Sequence, residues 1–442
     1  MTIYEADWIC PVSSAPIPNG SIAVENGRIT PLPLGEERRA IGAPGEGHNR
    51  VTFSGCAIIP GFVNAHTHIE LTILRGFIED LPFSEWIPKL TRAKYQQLTR
   101  DDMLASARLG CLEMVRAGVT CLGEVMDLGT AWQAMHEFGL QGIAYQEVFG
   151  PSEGQLNGAM DDLQKKIEAY RPAQTETLQI GVSPHAPYTV SEKLYQAVSR
   201  YAGQEGLRLT THIAESADEG MFVRRGAGTF AERWSQRGIP LTPAGCSPVA
   251  YLDKMGLLRP ETLLVHMIDI EDADFQLLRD KQPAVVHCPK SNAKLAHGIA
   301  RIREIRETGI PVGLGSDSVA SNNVVDMFEE MRTAIFQQRG RTQQLDALGA
   351  QAAFRMATLD GAECLGLSKY LGSLDPGKRA DFVVVDLNDP AVQPVYDPIA
   401  TMVYSASRRN IRATFIGGQE MTPDSGELVR ECGAIAERLR KN

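Results

Sequence analysis

The sequence alternates between short apolar segments of strand character and longer segments of helical periodicity, and this alternation most limits the fold. Helical periods cover residues 101–117 and 191–205, and each is followed by a glycine that can end a helix. Strands are predicted at 57–64, 119–124, 142–148, 178–183, 208–211, 262–265, 284–286 and 311–314. No Gly-rich phosphate loop follows the first strand, so the α/β pattern predicts a closed (β/α)8 TIM barrel rather than an open doubly wound sheet.

Both ends of the chain have β character of a different kind. Near the start, Asn26-Gly27 separates two apolar segments, which is a typical hairpin signal. After the eighth strand, helical patterns at 327–338 and 346–363 precede two further β segments, 380–386 and 413–417. We therefore predict a small discontinuous β-sandwich domain from residues 1–56 and 368–442, and a catalytic barrel from residues 57–367.

Composition limits the partners and the compartment. The net charge of −10 over 442 residues argues against nucleic-acid binding, which requires a basic face. No apolar run approaches the length of about 18 residues that a membrane span needs, and Glu5 and Asp7 stand where a signal peptide would be basic. The eight cysteines form no C-x-x-C pair, which is typical of reduced thiols. We expect a cytoplasmic protein, a homo-oligomer, with a small-molecule substrate and no membrane or nucleic-acid partner.

Two histidines, His66 and His68, follow the apolar run at 57–59 and a Pro-Gly break. In an extended strand they would share one face about 7 Å apart along the chain. Such a pair can bind one metal ion, or it can be two half-exposed surface histidines.

The ends of the other predicted strands decide between these interpretations. Active sites of parallel barrels lie at the carboxyl ends of their strands. Most of the nine histidines follow predicted strands, and an aspartate follows the eighth: His66, His68, His185, His212, His266, His287 and Asp317. Surface histidines would instead scatter over helices and loops. The concentration therefore predicts a metal site at the carboxyl end of the barrel.

Several motifs carry a resemblance to a known family. They are Pro-Gly-Phe-Val-Asn-Ala-His-Thr-His at 60–68, Ser-Pro-His-Ala-Pro-Tyr at 183–188, His-Ile-Ala-Glu at 212–215, Cys-Pro-Lys-Ser-Asn at 288–292, Leu-Gly-Ser-Asp-Ser-Val-Ala-Ser-Asn-Asn at 314–323 and Leu-Gly-Ser-Leu-Asp-Pro-Gly-Lys-Arg-Ala-Asp at 371–381. In this order they resemble the amidohydrolase superfamily. Within it, the chain is similar to the branch of adenosylhomocysteine/methylthioadenosine deaminases and aminodeoxyfutalosine deaminases.

The resemblance implies a mononuclear metal site. Its ligands would be His66, His68, His212 and Asp317, which suit zinc, with iron or manganese as alternatives. No lysine stands at the end of strand four to bridge a second metal; His185 takes that place. The alternative for Asp317 is the cap of a following helix.

The resemblance also implies the catalytic groups. Glu215 would shuttle protons beside an activated water, although an isolated glutamate before Ser216 is more often a solvated carboxylate at a helix start. His266 and Asp317 would orient the water, and His266 would stabilise the developing oxyanion. His287 is interpreted as a packing residue outside the catalytic set.

Three residues are predicted to bind substrate. His185 matches the family histidine that contacts substrate, and Trp86 would cover the pocket or serve as a packing anchor. Glu70 would bind substrate or pair with Arg75. The acid that follows this tryptophan segment in the adenosylhomocysteine branch is absent from residues 87–91, and residues 145–147 lack its arginine. Other features resemble the aminodeoxyfutalosine side: Glu70 directly after His-Thr-His-Ile, the Trp-Ile-Pro segment at 86–88, residues 245–248 and the Cys-Pro-Lys-Ser-Asn motif.

The implied reaction is hydrolytic deamination of an adenine-type nucleoside, with release of ammonia. One alternative is a chlorohydrolase or other amidohydrolase acting on a triazine-like ring. The other is a non-catalytic binding protein that retains the barrel, but such relatives usually lose ligands, and here the implied ligands, Glu215 and His266 are all present.

Overall fold

The computed structural model describes residues 1–32 and 48–441. Its strands, in chain order, are β1 (Thr2–Ile9), β2 (Ile17–Glu25), β3 (Arg28–Thr30), β4 (Asn49–Pro60), β5 (Phe62–Thr67), β6 (Val119–Met126), β7 (Gln141–Val148), β8 (Leu178–Pro184), β9 (Leu209–Ile213), β10 (Thr262–His266), β11 (Ala284–His287), β12 (Val312–Leu314), β13 (Phe382–Asp386), β14 (Ile411–Ile416) and β15 (Gln419–Glu420).

Helices alternate with the central strands and cover the barrel. They are α1 (Phe83–Arg92), α2 (Arg100–Arg116), α3 (Thr130–Glu137), α4 (Leu156–Tyr170), α5 (Glu192–Glu205), α6 (Ala217–Arg225), α7 (Thr229–Gln236), α8 (Pro248–Lys254), α9 (Asp274–Lys281), α10 (Pro289–Lys294), α11 (Ile302–Arg306), α12 (Val319–Asn322), α13 (Met327–Thr342), α14 (Ala350–Met356), α15 (Leu359–Cys364), α16 (Pro398–Ser405) and α17 (Gly426–Lys441).

Strands β5 to β12 form the predicted parallel barrel. Each strand pairs with the next in chain order, and a bridge between Thr67 and Asp317 brings the last strand end to the first. Every residue of β5, β6 and β7 is buried, as expected where helices cover the outside and side chains fill the inside. The fold class predicted from the alternation is confirmed.

The predicted first barrel strand, 57–64, is wrong in its bounds. Its first half belongs to β4, where residues 57–60 pair antiparallel with β13 of the terminal sheet. The chain breaks at Gly61, whose amide donates to the Asp381 carbonyl. A Cβ at Gly61 would lie 2.1 Å from the Thr120 hydroxyl oxygen, so the close approach requires glycine. One apolar run thus serves two sheets.

The remaining strands form one seven-stranded mixed sheet in the order β15-β14-β13-β4-β1-β2-β3, so both chain ends contribute to it. Tyr4 in β1 and Phe415 in β14 are three strand spacings apart, about 14 Å in a flat sheet. Their ring centroids are 5.2 Å apart, because the sheet curls around an aromatic core as a sandwich does. The predicted hairpin is confirmed, with left-handed φ of 51° at Asn26 and 74° at Gly27. β4 extends past residue 56, where the first segment of the terminal domain was predicted to end. The domain limits stay a prediction.

The helical pattern at 346–363 is also wrong as one element. The structure breaks it into α14 and α15, because the Ala357 carbonyl accepts a hydrogen bond from the Val63 amide of the barrel. Bonding to the barrel competes with continuation of the helix there. The pattern at 327–338 is confirmed as part of α13.

Two findings bear on the compartment. None of the helices in the described residues is long and apolar enough to span a membrane. All eight cysteines are free thiols, and all except the half-buried Cys246 are buried.

Candidate active site and metal centre

The barrel brings most of the residues predicted at the strand ends to one cavity, which is bordered by His68, His185, His212, His266 and Asp317. His66 lies in β5, His212 in β9 and His266 at the end of β10, and Asp317 follows β12. His266 and Asp317 have left-handed backbones, with φ of 77° and 57°. Such conformations are strained for residues other than glycine and concentrate at functional sites. The backbone is therefore shaped to turn these side chains inward.

The predicted ligands lie at the separations that a zinc ion requires. Asp317 Oδ1 is 3.5 Å from Nε2 of His66 and 3.5 Å from Nε2 of His68. Nε2 of His212 is 3.3 Å from Nε2 of His68. In a tetrahedral site with Zn–N bonds of about 2.0–2.1 Å, two ligand atoms lie about 3.3–3.4 Å apart. His66, His68 and Asp317 therefore form one group that could hold a metal ion, with His212 next to His68.

The hydrogen bonds of the rings support the same conclusion. His68 Nδ1 lies 3.1 Å from the Val125 carbonyl, and His212 Nδ1 lies 3.1 Å from the His185 carbonyl. Each Nδ1–H therefore donates to a backbone oxygen, which leaves the Nε2 lone pair free for a metal. Both nitrogens of the buried His66 ring lack a hydrogen-bond partner among the described residues. A metal bound through Nε2 would satisfy one of these nitrogens, and His66 belongs to a residue group that could hold an ion.

Asp317 and His68 are held in the charge states that ligation needs. Burial acts to raise the pKa of the Asp317 carboxyl, but the neighbouring His66 outweighs it and holds the pKa well below its usual value. Burial lowers the pKa of His68 to about 3, so its imidazole is neutral. Ser291 and Ser321 donate to Asp317 Oδ2 at 2.5 and 3.0 Å. The side chain that caps the following helix is Ser318, not Asp317.

Glu215 lies beside this group, buried at the start of the loop after β9. Its Oε1 is 3.7 Å from His266 Nε2 and 3.4 Å from His297 Nε2. Burial acts to raise the pKa of Glu215, but attraction to the nearby His266 and His297 leaves it below its usual value. Glu219 accepts from the amides of residues 214 and 215 and so fixes the loop. Glu215 is therefore an ionised, positioned carboxylate and not a solvated one.

His266 is oriented by the Cys-Pro-Lys-Ser-Asn motif. Its Nδ1 lies 2.9 Å from the side-chain oxygen of Asn292, the last residue of that motif, and the ring is buried. His287 is buried at the end of β11, but it belongs to none of the residue groups that could hold a metal within the described chain.

A cavity of about 660 Å³ opens above the ligands, and Trp86, His185 and Glu70 all border it. Trp86 lies on α1, stacks on Phe83 with centroids 6.1 Å apart, and has an indole N–H without a partner among the described residues. Tyr188 and Phe230 stack at 3.8 Å on the same cavity. His185 Nδ1 lies 2.8 Å from the Thr189 hydroxyl, which orients its ring. Flat apolar surfaces of this kind suit a planar ring.

Glu70 is engaged by backbone amides, which neither interpretation of the sequence predicted. Its two carboxylate oxygens accept from four backbone amides, those of residues 127, 128, 130 and 131, and from the Thr130 hydroxyl. The alternative partner, Arg75, pairs with Glu113 instead. Substrate contact by Glu70 stays a prediction, which these hydrogen bonds disfavour because both oxygens are already engaged.

Replacing Glu70 by alanine tests this structural role. The change leaves four amides without an acceptor, so we expect the free energy of unfolding to fall by roughly 2–4 kcal/mol in denaturant titration. The control is Glu85→Ala on the exposed face of α1, which should change stability little. Unchanged stability in Glu70→Ala, with a large rise in KM, would instead favour the substrate role.

Comparisons with known proteins identify the family of this chain. A model of the amidohydrolase family matches residues 57–421. The chain belongs to the amidohydrolase family. A 5-methylthioadenosine/S-adenosylhomocysteine deaminase from Syntrophobacter fumaroxidans is 32% identical to this amidohydrolase over 426 residues, which cover 95% of this chain and 92% of the relative. A 5′-deoxyadenosine deaminase from Methanothermobacter thermautotrophicus is 31% identical, over 93% of this chain and 91% of its own.

One similar solved structure contains a bound metal ion. An adenosine deaminase from Xanthomonas campestris with bound zinc superposes with a TM-score of 0.86 at 27% identity, covering 100% of this amidohydrolase and 99% of that chain. Together with the His and Asp cluster, this similarity supports a metal site in the present barrel.

Sequence reasoning missed three residues of the amidohydrolase site. His297, in the loop after α10, faces Glu215, and only its place just beyond the Asn292 motif could have drawn attention to it. Glu147 is the penultimate residue of β7, the third barrel strand, so the strand-end rule applies to it as well. The sequence interpretation noted only that residues 145–147 lack the arginine of relatives. Lys94 lines the same cavity from a helical turn, and no sequence signal marks it.

Proposed function

We propose that this amidohydrolase is a zinc-dependent aminohydrolase that deaminates an adenine-type nucleoside and releases ammonia. The observation that carries the proposal is that the buried Glu215 borders the same cavity as His68, His212 and Asp317, with Asp317 3.5 Å from both His66 and His68. Relatives that are 31–32% identical over nearly the whole chain are named as deaminases of adenine nucleosides.

The proposed roles follow from the contacts. Zinc, when bound by the four ligands as one ion per chain, supplies Lewis acidity that brings the pKa of water to about 7. Glu215 takes one proton from the water that adds to the amino-bearing ring carbon and delivers it to the adjacent ring nitrogen. It then takes the remaining proton of the added hydroxyl and delivers it to the departing amine, as the carbonyl forms and the carbon–nitrogen bond breaks. His266, held by Asn292, donates to the oxygen that develops negative charge, and Asp317 orients the water. Water is consumed and ammonia leaves.

His185 and Trp86 are proposed to contact the nucleoside. The Trp86 indole N–H and the stacked aromatic wall offer a donor and a flat surface. The proposed substrates are aminodeoxyfutalosine, adenosylhomocysteine, methylthioadenosine and adenosine. We also propose a cytoplasmic location, which agrees with the eight free thiols, and a homo-oligomeric state.

A substrate panel tests the proposal. The zinc-loaded protein is assayed for ammonia release with the four proposed nucleosides and for chloride release with chlorinated triazines. We expect ammonia from at least one nucleoside, with loss of its characteristic adenine absorbance. Chloride release alone would identify a chlorohydrolase. Absence of both activities, in a protein that retains no added zinc, iron or manganese, would favour a non-catalytic binding protein.

A further inference from the structure

His297 is a buried histidine that the proposed reaction does not use. It lies in the loop after α10, and its side chain is only 5% exposed. The residues on either side of it, Ala296 and Gly298, have positive φ of 57° and 113°. A left-handed backbone costs free energy at a residue other than glycine, and such strain concentrates at functional sites. The backbone of this loop is therefore shaped to turn the His297 ring inward.

The Nε2 atom of His297 faces the carboxylate that transfers protons. It lies 3.4 Å from Glu215 Oε1 and makes no hydrogen bond within the described chain. A buried ring nitrogen without a partner is rare and requires an explanation. The separation slightly exceeds the usual N–H···O range of about 2.7–3.2 Å, and hydrogen bonds of catalytic groups often shorten only when substrate binds. Glu215 Oε1 is thus the acceptor that this nitrogen can reach.

A second imidazole approaches the same oxygen from the end of β10. His266 Nε2 is 3.7 Å from Glu215 Oε1, so this oxygen lies near two ring nitrogens. Asn292 contacts both histidines. Its side-chain oxygen is 2.9 Å from His266 Nδ1, and its carbonyl accepts a hydrogen bond from the His297 amide at 3.0 Å. One residue of α10 therefore helps to set the positions of both rings relative to Glu215.

An aromatic side chain of α1 covers the His297 ring. Phe83 meets this ring edge to face with centroids 4.6 Å apart, and it also packs on Trp86 and Phe230. Hydrogen bonds are electrostatically stronger in such apolar surroundings than in water. A donor at His297 therefore acts strongly on the carboxylate of Glu215.

We propose that His297 is a positioning residue for the proton transfers of Glu215. Its Nε2–H donates to Oε1, which fixes the carboxylate and leaves Oε2 to exchange protons with the water and the ring. A donor to the charged carboxylate favours that form, so protonated Glu215 releases its proton more readily to the departing amine. His297 keeps its own proton, and the balance of the reaction is unchanged. The inference rests on the proposed deaminase function, and it assigns His297 an effect on kcat rather than on substrate binding.

The experiment compares two replacements that place an amide nitrogen differently. A glutamine at position 297 can bring its N–H close to the position of Nε2, whereas the shorter asparagine reaches only the position of Nδ1. We expect His297→Asn to lower kcat by about 10–100-fold with KM for the best nucleoside unchanged, because the donor to Glu215 is lost. His297→Gln should keep kcat within about threefold of the wild type. Both variants should retain the wild-type Tm and metal content. The control is Ile299→Ala, an exposed residue of the same loop, which should leave kcat unchanged.

Three results would refute the role of His297. They are an unchanged kcat in His297→Asn, an equal loss of kcat in both variants, and a rise in KM with kcat retained. If the asparagine variant does not fold, His297→Leu takes its place, since leucine fills the apolar contact with Phe83 but has no donor. The wild-type protein tests the proposed function separately. A wild type that deaminates no adenine nucleoside refutes the deaminase proposal, whereas an active wild type with any of the three results refutes only the role of His297.

Discussion

Replacement of Glu215 by glutamine is expected to lower kcat by about 10²–10⁴-fold while the protein keeps its metal. The amide has nearly the volume of the carboxylate but cannot accept and return the protons that the reaction moves. Glu215 is not among the predicted ligands, and its Oε1 lies 3.7 Å from His266 Nε2 and 3.4 Å from His297 Nε2. Steady-state rates with the best nucleoside, together with metal content by elemental analysis, measure both quantities.

The matched control for this change is Glu192→Gln on exposed α5, which should leave kcat and metal content unchanged. Full activity in Glu215→Gln would refute the proton-transfer role. Loss of metal from the same variant would show that Glu215 is a ligand, and the ligand set would then need revision.

Replacement of His66 by alanine is expected to weaken zinc binding by at least about 100-fold and to abolish turnover, because the change removes a ligand itself. Chelation of the wild-type protein should also abolish turnover, and zinc should restore it. Binding of zinc to the folded protein stabilises it by about 4 kcal/mol at a thousandfold excess over Kd, so chelation should lower Tm as well.

His136→Ala, on the exposed side of α3, is the control for the loss of a histidine, and it should bind zinc as the wild type does. Unchanged metal content in His66→Ala would mean that the ion lies elsewhere in the molecule. If manganese or iron restores turnover of the chelated protein to a higher rate than zinc does, the identity of the ion needs revision but its position does not.

The barrel and the grouping of histidines at its strand ends could be predicted because their signals are local. The alternation of strand and helix follows from short-range periodicity, and the carboxyl-end rule then groups His66, His212 and Asp317 although they are far apart in sequence. Errors occurred where contacts between distant segments override local pattern. The apolar run at 57–64 is divided between two sheets because its first half pairs with β13. The helical pattern at 346–363 is interrupted where the Ala357 carbonyl accepts a hydrogen bond from the Val63 amide.

Side chains of the cavity wall were harder to interpret for the same reason. Glu70 stands next to His66 and His68 in sequence, which suggested a role in substrate binding. Its carboxylate instead accepts hydrogen bonds from backbone amides about 60 residues later in the chain. Lys94 and Glu147 are ordinary residues in sequence, and only the folded chain brings them to one cavity. His297 lies 3.4 Å from Glu215, a contact that only the folded chain creates.

The sequence by itself determined the parallel barrel, the concentration of histidines at its strand ends and the type of reaction that such ligands support. These depend on residue types and on periodicities that extend over one element. The tertiary structure alone decided which carboxylates are engaged and which are free, since Glu70 is saturated by backbone donors and Glu147 Oε1 lacks any among the described residues. That difference depends on the position of donors from distant segments, and no local pattern records it.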